Sequence, residues 1–283
     1  MHDDAASMKV SRPGFILRRN AIVTMKHAVG SPSWFELATT DQAGAEAFYS
    51  SLFGWTVQRT EMDDGSHYTV FQLGGRDVAA AYTLMPDQVT QGVPPNWGVY
   101  FRVDDADAVA AKAAASGGHV LMPAFEVMEY LRMAVCADPE NAVFSLQQPR
   151  QHAGVGAVRE NSAVCWVELA TRDLARAEAF YTGLFGWDMS EHHASPPGGY
   201  RIFGNGDGML GGLLRMTEEW GEMSSHWSIY IQVEDVDATV EKAQSLGGKL
   251  CFPAFDAPSV GRIARINDAA GAGFYVIKFV EGI

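Results

Sequence analysis

The sequence has little of what most structural and catalytic motifs are built from. Its three cysteines, Cys136, Cys165 and Cys251, are far apart and form no CxxC pair, which argues against a disulfide framework or a thiolate zinc site and favours a reducing cytosol. Basic residues are scarce, with 21 Lys and Arg against 34 Asp and Glu and a formal net charge of -13. Because such a surface repels phosphate groups, we expect neither nucleic acid nor an anionic membrane as a partner.

Long apolar runs are also missing. In the first 30 residues the apolar pieces Phe15–Leu17 and Ala21–Val23 are separated by two arginines and an asparagine, whereas a signal peptide needs about 7 to 15 consecutive apolar residues and a membrane span about 20. We expect this segment to be a loose extension or an arm that docks on a neighbour. The sequence contains no GxSxG motif, phosphate loop or dinucleotide-binding glycine motif.

What the sequence does contain is an internal duplication. Residues 34–55 return as residues 166–187, with 16 of the 22 aligned positions identical. A second match relates 97–125 to 227–255. A period of about 130 residues is far longer than that of solenoid repeats, so it indicates two copies of a whole domain.

Each copy reads as two successive βαβββ modules. In the first module, residues 34–39 alternate as a strand does, and 43–53 have the apolar spacing of a helix that ends at Gly54. Three strand-like runs follow, at 56–61, 67–73 and 78–85. The second module repeats the order with a strand at 97–103, a helix at 106–116 and strands near 119–122, 132–136 and 142–147.

These motifs are similar to those of the vicinal oxygen chelate superfamily, the group of glyoxalase I, bleomycin-resistance proteins and extradiol dioxygenases. The resemblance covers about residues 31–281. It rests on Asp41 with Phe-Tyr seven residues later, on Val-Asp-Asp-Ala-Asp-Ala at 103–108, and on Asp-Pro-Glu-Asn at 138–141. The two-domain form with its Trp-x-Glu-Leu openings most resembles actinobacterial glyoxalase-like proteins described as hydroxylases or antigens.

The resemblance implies an α+β fold of two tandem glyoxalase-like domains, each with an open curved sheet around a cleft. We predict an N-terminal extension at 1–30, a first domain at 31–149, a linker at 150–163 and a second domain at 164–283. The pairing that single-domain relatives obtain by dimerising can then be internal, so we expect a monomer or a homodimer.

The resemblance also shows where a metal would be held, and the residues there are unsuitable. Three of the family's ligand positions fall on Trp34, Gly98 and Ser145 in the first copy. In the second copy they fall on Trp166, Ser228 and Tyr275, and the fourth lies within 78–85 or 209–216, where no His, Glu or Asp occurs. These groups are poor ligands for a divalent ion, so we predict no metal and no cofactor. The pair His192-His193 is expected to lie in an exposed turn.

Strand alternation predicts which side chains face each cleft. In the first copy Trp34, Glu36, Tyr100 and Arg102 should face the cleft with Ser145 opposite. The equivalents in the second copy share these positions: Trp166, Glu168, Tyr230, Gln232 and Tyr275. The tryptophans are interpreted either as stacking platforms or as fillers of the space left by a metal. The glutamates are interpreted either as proton-transfer groups or as carboxylates tied to their neighbours.

The two copies differ at two places. Arg102 could neutralise Glu36, whereas Gln232 could not neutralise Glu168, so the second cleft is the better candidate for acid and base chemistry or for binding an amine. The loop at 127–132 is bulkier than its counterpart at 257–262, and it could cover the first cleft or contact the other domain.

These observations give two readings of the function. The first is a metal-free protein that binds a hydrophobic or aromatic small molecule, such as a drug or a polyketide intermediate. The second is an isomerase, cyclase or lyase of secondary metabolism, with Glu36 or Glu168 moving a proton and Tyr100 or Tyr230 polarising an oxygen. A metal-dependent glyoxalase, dioxygenase or hydroxylase is the least favoured reading.

Overall fold

The computed structural model describes residues 27–62, 64–191, 199–206 and 208–280. Most of the predicted N-terminal extension and the pair His192-His193 therefore lie outside the described residues. None of the helices within the described ranges is long and apolar enough to cross a membrane.

The first half of the chain forms one sheet of eight strands with three helices. The strands are β1 (Pro32–Thr39), β2 (Thr56–Glu61), β3 (His67–Leu73), β4 (Arg76–Thr83), β5 (Asn96–Arg102), β6 (His119–Val127), β7 (Leu131–Ala137) and β8 (Val143–Pro149). The helices are α1 (Gln42–Phe53), α2 (Pro86–Thr90) and α3 (Ala106–Ala115). The strand order is β2-β3-β4-β1-β5-β8-β7-β6, so the two βαβββ modules meet where β1 pairs with β5.

The second half repeats this arrangement. Its strands are β9 (Val164–Thr171), β10 (Asp188–Glu191), β11 (Tyr200–Gly204), β12 (Met209–Arg215), β13 (His226–Gln232), β14 (Lys249–Leu250), β15 (Phe255–Ala257), β16 (Gly261–Asn267) and β17 (Gly273–Phe279). Its helices are α4 (Leu174–Phe185) and α5 (Val236–Ser245), with a 3-10 turn at Glu218–Trp220. The order β10-β11-β12-β9-β13-β17-β16-β14 matches that of the first sheet, and β15 pairs with β16. The predicted α+β fold of two tandem repeats with open sheets is confirmed.

The helices begin and end at residues whose chemistry favours those boundaries. The carboxylates of Asp41 and Asp173 accept hydrogen bonds from the first-turn N–H groups of α1 and α4, which satisfies donors that the helix itself leaves unpaired. Both helices stop at glycines, Gly54 and Gly186, in the left-handed conformation that glycine adopts without a steric cost. The short helix α2 and the extension of β6 to Val127 were not predicted.

The two sheets share a core rather than each enclosing its own. Tyr49 on α1 donates a hydrogen bond to Asp268 of the second half at 3.0 Å, and Tyr181 on α4 donates one to Asp138 of the first half at 3.1 Å. Phe101 on β5 packs against Trp227 on β13 with ring centroids 5.1 Å apart. The first helix of each half thus packs against the other half.

The segment predicted as a linker packs along the first sheet. The backbone N–H of Val155 donates to the carbonyl of Ser33, and that of Gly156 donates to the carbonyl of Asp77. Val155 and Ala157 are buried. The segment is therefore held in place by backbone hydrogen bonds, while the domain boundaries themselves stay a prediction.

Candidate functional site

The first strand of each half places the predicted pair of side chains on the concave face of its sheet. Phe35 and Leu37 on β1 are buried in the shared core, so alternation turns Trp34 and Glu36 to the opposite face. Register brings β5 alongside, with Tyr100 opposite Trp34. Residues distant in sequence thereby become neighbours in one cleft.

In the first cleft these residues form a hydrogen-bonded chain. The indole N–H of Trp34 donates to the hydroxyl of Tyr68 at 3.2 Å, and that hydroxyl donates to Oε1 of Glu36 at 2.6 Å. The hydroxyl of Tyr100 donates to Oε2 of the same carboxylate. Both carboxylate oxygens are therefore occupied by phenols.

The second cleft repeats the chain. The indole of Trp166 donates to Tyr200 at 3.0 Å, Tyr200 donates to Oε2 of Glu168 at 2.9 Å, and Tyr230 donates to Oε1 at 2.8 Å. The phenol between indole and carboxylate, Tyr68 or Tyr200, is absent from the sequence prediction. The duplication could have identified it, because Tyr68 and Tyr200 are 132 residues apart, as are the two tryptophans.

Burial controls the proton affinity of both glutamates. Desolvation raises the pKa of Glu36, and hydrogen bonds from Tyr100 and Tyr68 lower it in part. Desolvation likewise raises the pKa of Glu168 against the opposing bonds from Tyr230 and Tyr200. A low-dielectric surrounding disfavours the charged form of a carboxyl group. Each cleft thus holds a carboxyl group that binds a proton at higher pH than a solvent-exposed glutamate.

The expected pairing of Arg102 with Glu36 is wrong. The guanidinium of Arg102 instead lies 2.8 Å from Oδ1 of Asp104, because the side chain lies at the end of β5, beyond Tyr100. No ion pair joins Arg102 to Glu36 within the described ranges. Arg102 and Gln232 therefore do not make the two carboxyl groups different, and the preference for the second cleft on that ground loses its basis.

The two clefts differ instead at the third predicted ligand position. Tyr275 on β17 is aligned with Tyr230 on β13, and their rings stack with centroids 4.4 Å apart and planes 6° from parallel. In the first cleft the same register places Ser145 beside Tyr100. The second cleft is therefore the more aromatic of the two.

The tryptophans also differ in accessibility. Trp34 is only 3% exposed, and His152 packs edge-on against its indole at a centroid distance of 4.4 Å. His152 is held there by the side-chain amide of Gln147 at 3.2 Å. Trp166 is only partly buried. Trp166 is therefore less covered by its neighbours than Trp34 is.

The loop at 127–132 contributes to this cover. The carbonyl of Tyr130 accepts hydrogen bonds from the backbone N–H groups of Arg150 and His152. The loop thus holds the segment that carries His152 over Trp34. Of the two predicted roles, these hydrogen bonds favour the cover of the first cleft.

The residues at the family's ligand positions do not fit a divalent metal. The indole of Trp34 offers no lone pair suited to a metal ion, and Gly98 has no side chain. Each cleft has one carboxylate, and both of its oxygens already accept hydrogen bonds from phenols. Across the described ranges, no group of three His, Cys, Asp or Glu side chains is arranged to hold a metal ion.

Two cavities are present among the described residues. One of about 630 Å³ lies between the loop at Glu140 and the start of α4 and is lined by Arg172 and Arg176. A second of about 210 Å³ lies between the halves and is lined by Phe35 and by Trp166. Neither is lined by Glu36 or Glu168, so we identify the clefts from their chemistry and duplication rather than from cavity volume.

Comparison with known proteins agrees with this architecture. The sequence profile of the "Glyoxalase/Bleomycin resistance protein/Dioxygenase superfamily" matches residues 31–146 and again 163–275. "Putative glyoxylase CFP32" of Mycobacterium tuberculosis (strain CDC 1551 / Oshkosh) is 39% identical over 250 residues, covering 88% of this chain and 95% of that protein. "Anthracycline biosynthesis protein DnrV" of Streptomyces peucetius is 33% identical over 270 residues, covering 91% and 96%.

Solved structures share the fold at low sequence identity. The 2,3-dioxygenase LapB from Pseudomonas sp. KL28 has a TM-score of 0.61 at 13% identity, covering 88% of this chain and 93% of that one. The Mn(II)-bound glyoxalase from Novosphingobium aromaticivorans has a TM-score of 0.60 at 12% identity, covering 88% and 82%. With its profile matched in both halves, the chain belongs to the glyoxalase/bleomycin resistance protein/dioxygenase superfamily.

Proposed function

We propose that this protein binds a planar, largely apolar small molecule on the concave face of the second sheet, without a metal ion. The observation that carries the proposal is the hydrogen-bonded series from Trp166 through Tyr200 to Glu168, in which the indole of Trp166 is partly exposed. Aromatic walls with few directional polar groups suit a flat ligand that bears hydroxyl or carbonyl oxygens. The relationship to DnrV, named for anthracycline biosynthesis, supports a polyketide-like ligand.

The second cleft is preferred over the first because its tryptophan is the more exposed of the two. Trp34 lies under His152, whereas Trp166 is partly exposed and the stacked rings of Tyr230 and Tyr275 continue the wall. We therefore expect one ligand per chain. The protein acts as a cytoplasmic monomer or homodimer in this proposal, since the shared core already pairs its two halves.

The test is calorimetric titration of the full chain with anthraquinone, a neutral planar probe. Trp166→Leu should weaken binding about five- to tenfold, the loss expected for one aromatic stacking partner. The matched change Trp34→Leu in the other copy should leave the affinity and the stoichiometry of one unchanged. Equal losses from both changes, or two sites per chain, would contradict the assignment to the second cleft. Tightly held metal in the purified protein would contradict the metal-free part.

A second candidate function is proton transfer on the bound molecule. It is favoured by Glu168, whose pKa is raised by burial and which has no ion pair within the described ranges. A carboxyl group whose pKa is raised by burial holds its proton to higher pH than an exposed glutamate, which suits it to donate and accept a proton on a bound molecule. If the protein is an isomerase, cyclase or lyase, Glu168→Gln should abolish conversion of a natural ligand while retaining its binding. A Glu168→Gln variant with unchanged turnover would rule this function out.

A further inference from the structure

The second cleft contains a positively charged residue, Arg265, which strand alternation in β9 and β13 did not reveal. Arg265 on β16 is aligned with Tyr275 on β17, so both side chains lie on the same face of the sheet. The guanidinium carbon is 5.9 Å from the centroid of the Tyr275 ring, within the range of a cation–π contact. Arg265 thus lies at one end of the Tyr275–Tyr230 stack, whose other phenol hydrogen-bonds Glu168.

This arginine is incompletely satisfied by the protein. Its Nε atom is buried and has no hydrogen-bond partner among the described residues. Across those same residues it also forms no ion pair with an aspartate or a glutamate. By contrast, Arg262 on the same strand is paired with Asp237 at 2.7 Å. Leaving a partly buried guanidinium without an anion costs free energy, which a ligand anion would offset.

The space around Arg265 is adapted to it. A Cβ atom on Gly273 would lie 2.9 Å from Nη2 of Arg265, so any larger residue at this position would displace the guanidinium. The equivalent residues of the first half are Val135 and Val143, which occupy the same register positions in their sheet as Arg265 and Gly273 do in the second. The arginine and the glycine that admits it therefore occur together in one copy only.

A histidine near the arginine is a second polar group of the cleft. Nδ1 of His226 lies 2.8 Å from the carbonyl of Ser224, and because a carbonyl only accepts, Nδ1 carries the hydrogen. The pKa of His226 is lowered by burial and further by the charge of Arg265. The neutral ring therefore keeps Nε2 as an acceptor and adds no positive charge. The equivalent residue of the first copy is Asn96.

We propose that the second cleft selects planar ligands that carry an acidic oxygen, a carboxylate or an ionised phenol or enol, and that Arg265 is the residue that recognises this anion. The inference rests on the proposed function, since it specifies the ligand class of the same cleft. It replaces the sequence-based expectation of an amine ligand, because a guanidinium repels a cation. Arginine suits this role because its planar donors match a carboxylate in a bidentate manner.

The test compares two probes of one shape, anthraquinone-2-carboxylate and anthraquinone-2-carboxamide, by calorimetry at pH 7.5 with the full chain. The wild-type protein should prefer the carboxylate by about tenfold, as expected for a charge-assisted hydrogen bond. Arg265→Val, which introduces the residue of the first copy, should abolish this preference and leave carboxamide binding within about twofold. Arg265→Lys should keep part of the preference.

The control is Arg215→Gln, which removes an exposed arginine at the end of β12 and should change neither affinity. Circular dichroism and denaturant unfolding of each variant establish that it is folded. If both probes bind equally to the wild-type protein, or if Arg265→Val keeps the preference, the role of Arg265 is refuted and the proposed function stands. If neither probe binds, the proposed function fails as well.

Discussion

At the scale of single residues, the duplicated carboxyl groups show how burial and hydrogen bonding oppose each other. Glu36 and Glu168 each accept bonds from two phenols, which favour the ionised form. Desolvation is nevertheless the largest influence, and the pKa of both groups is raised. Phenols stabilise a buried carboxylate less than a cation would, so the clefts retain proton-binding capacity.

The raised pKa of Glu168 predicts a specific dependence of stability on pH. Because the folded state binds the proton more tightly than the unfolded state, the contribution of Glu168 to the free energy of unfolding is fully present below its ordinary pKa of 4.5 and is lost as the pH rises through the folded value. Glu168→Gln removes this dependence. The unfolding free energy of the variant relative to wild type should therefore increase with pH.

Denaturant unfolding at a series of pH values above 4 measures this difference. Glu241→Gln, at an exposed position of α5, is the control for the general effect of replacing a glutamate by glutamine. Parallel curves for Glu168→Gln and wild type would show that the carboxyl group ionises equally in the folded and unfolded states.

At the scale of elements, the helices of both copies begin by the same device. Asp105 and Asp235 each accept a hydrogen bond from the backbone N–H three residues later, at the starts of α3 and α5. The aspartate satisfies an unpaired donor and places a negative charge at the positive end of the helix dipole. The repeated Val-Asp-Asp and Val-Glu-Asp motifs therefore have a local structural role, apart from any function.

Removing one cap should have a measurable and limited cost. Asp235→Ala should lower the free energy of unfolding by about 1 kcal/mol, the usual loss at a helix N-cap. Asp235→Asn should retain most of it, because the amide oxygen can still accept from Ala238. Chemical denaturation of both variants checks this. An equal loss in both would attribute the effect to the charge rather than to the hydrogen bond.

At the scale of the whole molecule, the two halves should unfold together. Phe101 on β5 is fully buried and lies 5.1 Å from the ring of Phe185, 5.4 Å from Trp187 and 5.1 Å from Trp227, all in the second half. The aromatic core is continuous across both sheets, so neither half retains a complete core without the other.

Truncation of this contact tests the shared core. Phe101→Ala should lower the free energy of unfolding by about 3–5 kcal/mol, as for other buried phenylalanines, and unfolding should remain one cooperative transition. Phe125→Ala on the exposed part of β6 is the control and should cost far less. Calorimetry or denaturant titration gives both quantities. Two separate transitions, with only the first affected, would contradict a shared core.

The order of elements and the orientation of the cleft residues could be predicted because both follow from local periodicity. Phe35 and Leu37 fix the core face of β1 by alternation, and the same rule places Trp34 and Glu36 opposite. The pairing of Arg102 with Glu36 could not be judged in this way, because it depends on where the strand ends. Alternation gives the face of a side chain but not its partner.

The sequence by itself determined the duplication, the modules and the two cleft-facing Trp and Glu pairs, since these depend on repeats and on contacts with near neighbours. Only the tertiary structure decided that His152 covers Trp34, that Tyr49 reaches Asp268 across the shared core, and that Arg265 joins the Tyr275–Tyr230 stack. Each of these contacts joins separate segments of the chain. Strand order, register and the packing of the two sheets decide which such segments meet, and no local pattern encodes them.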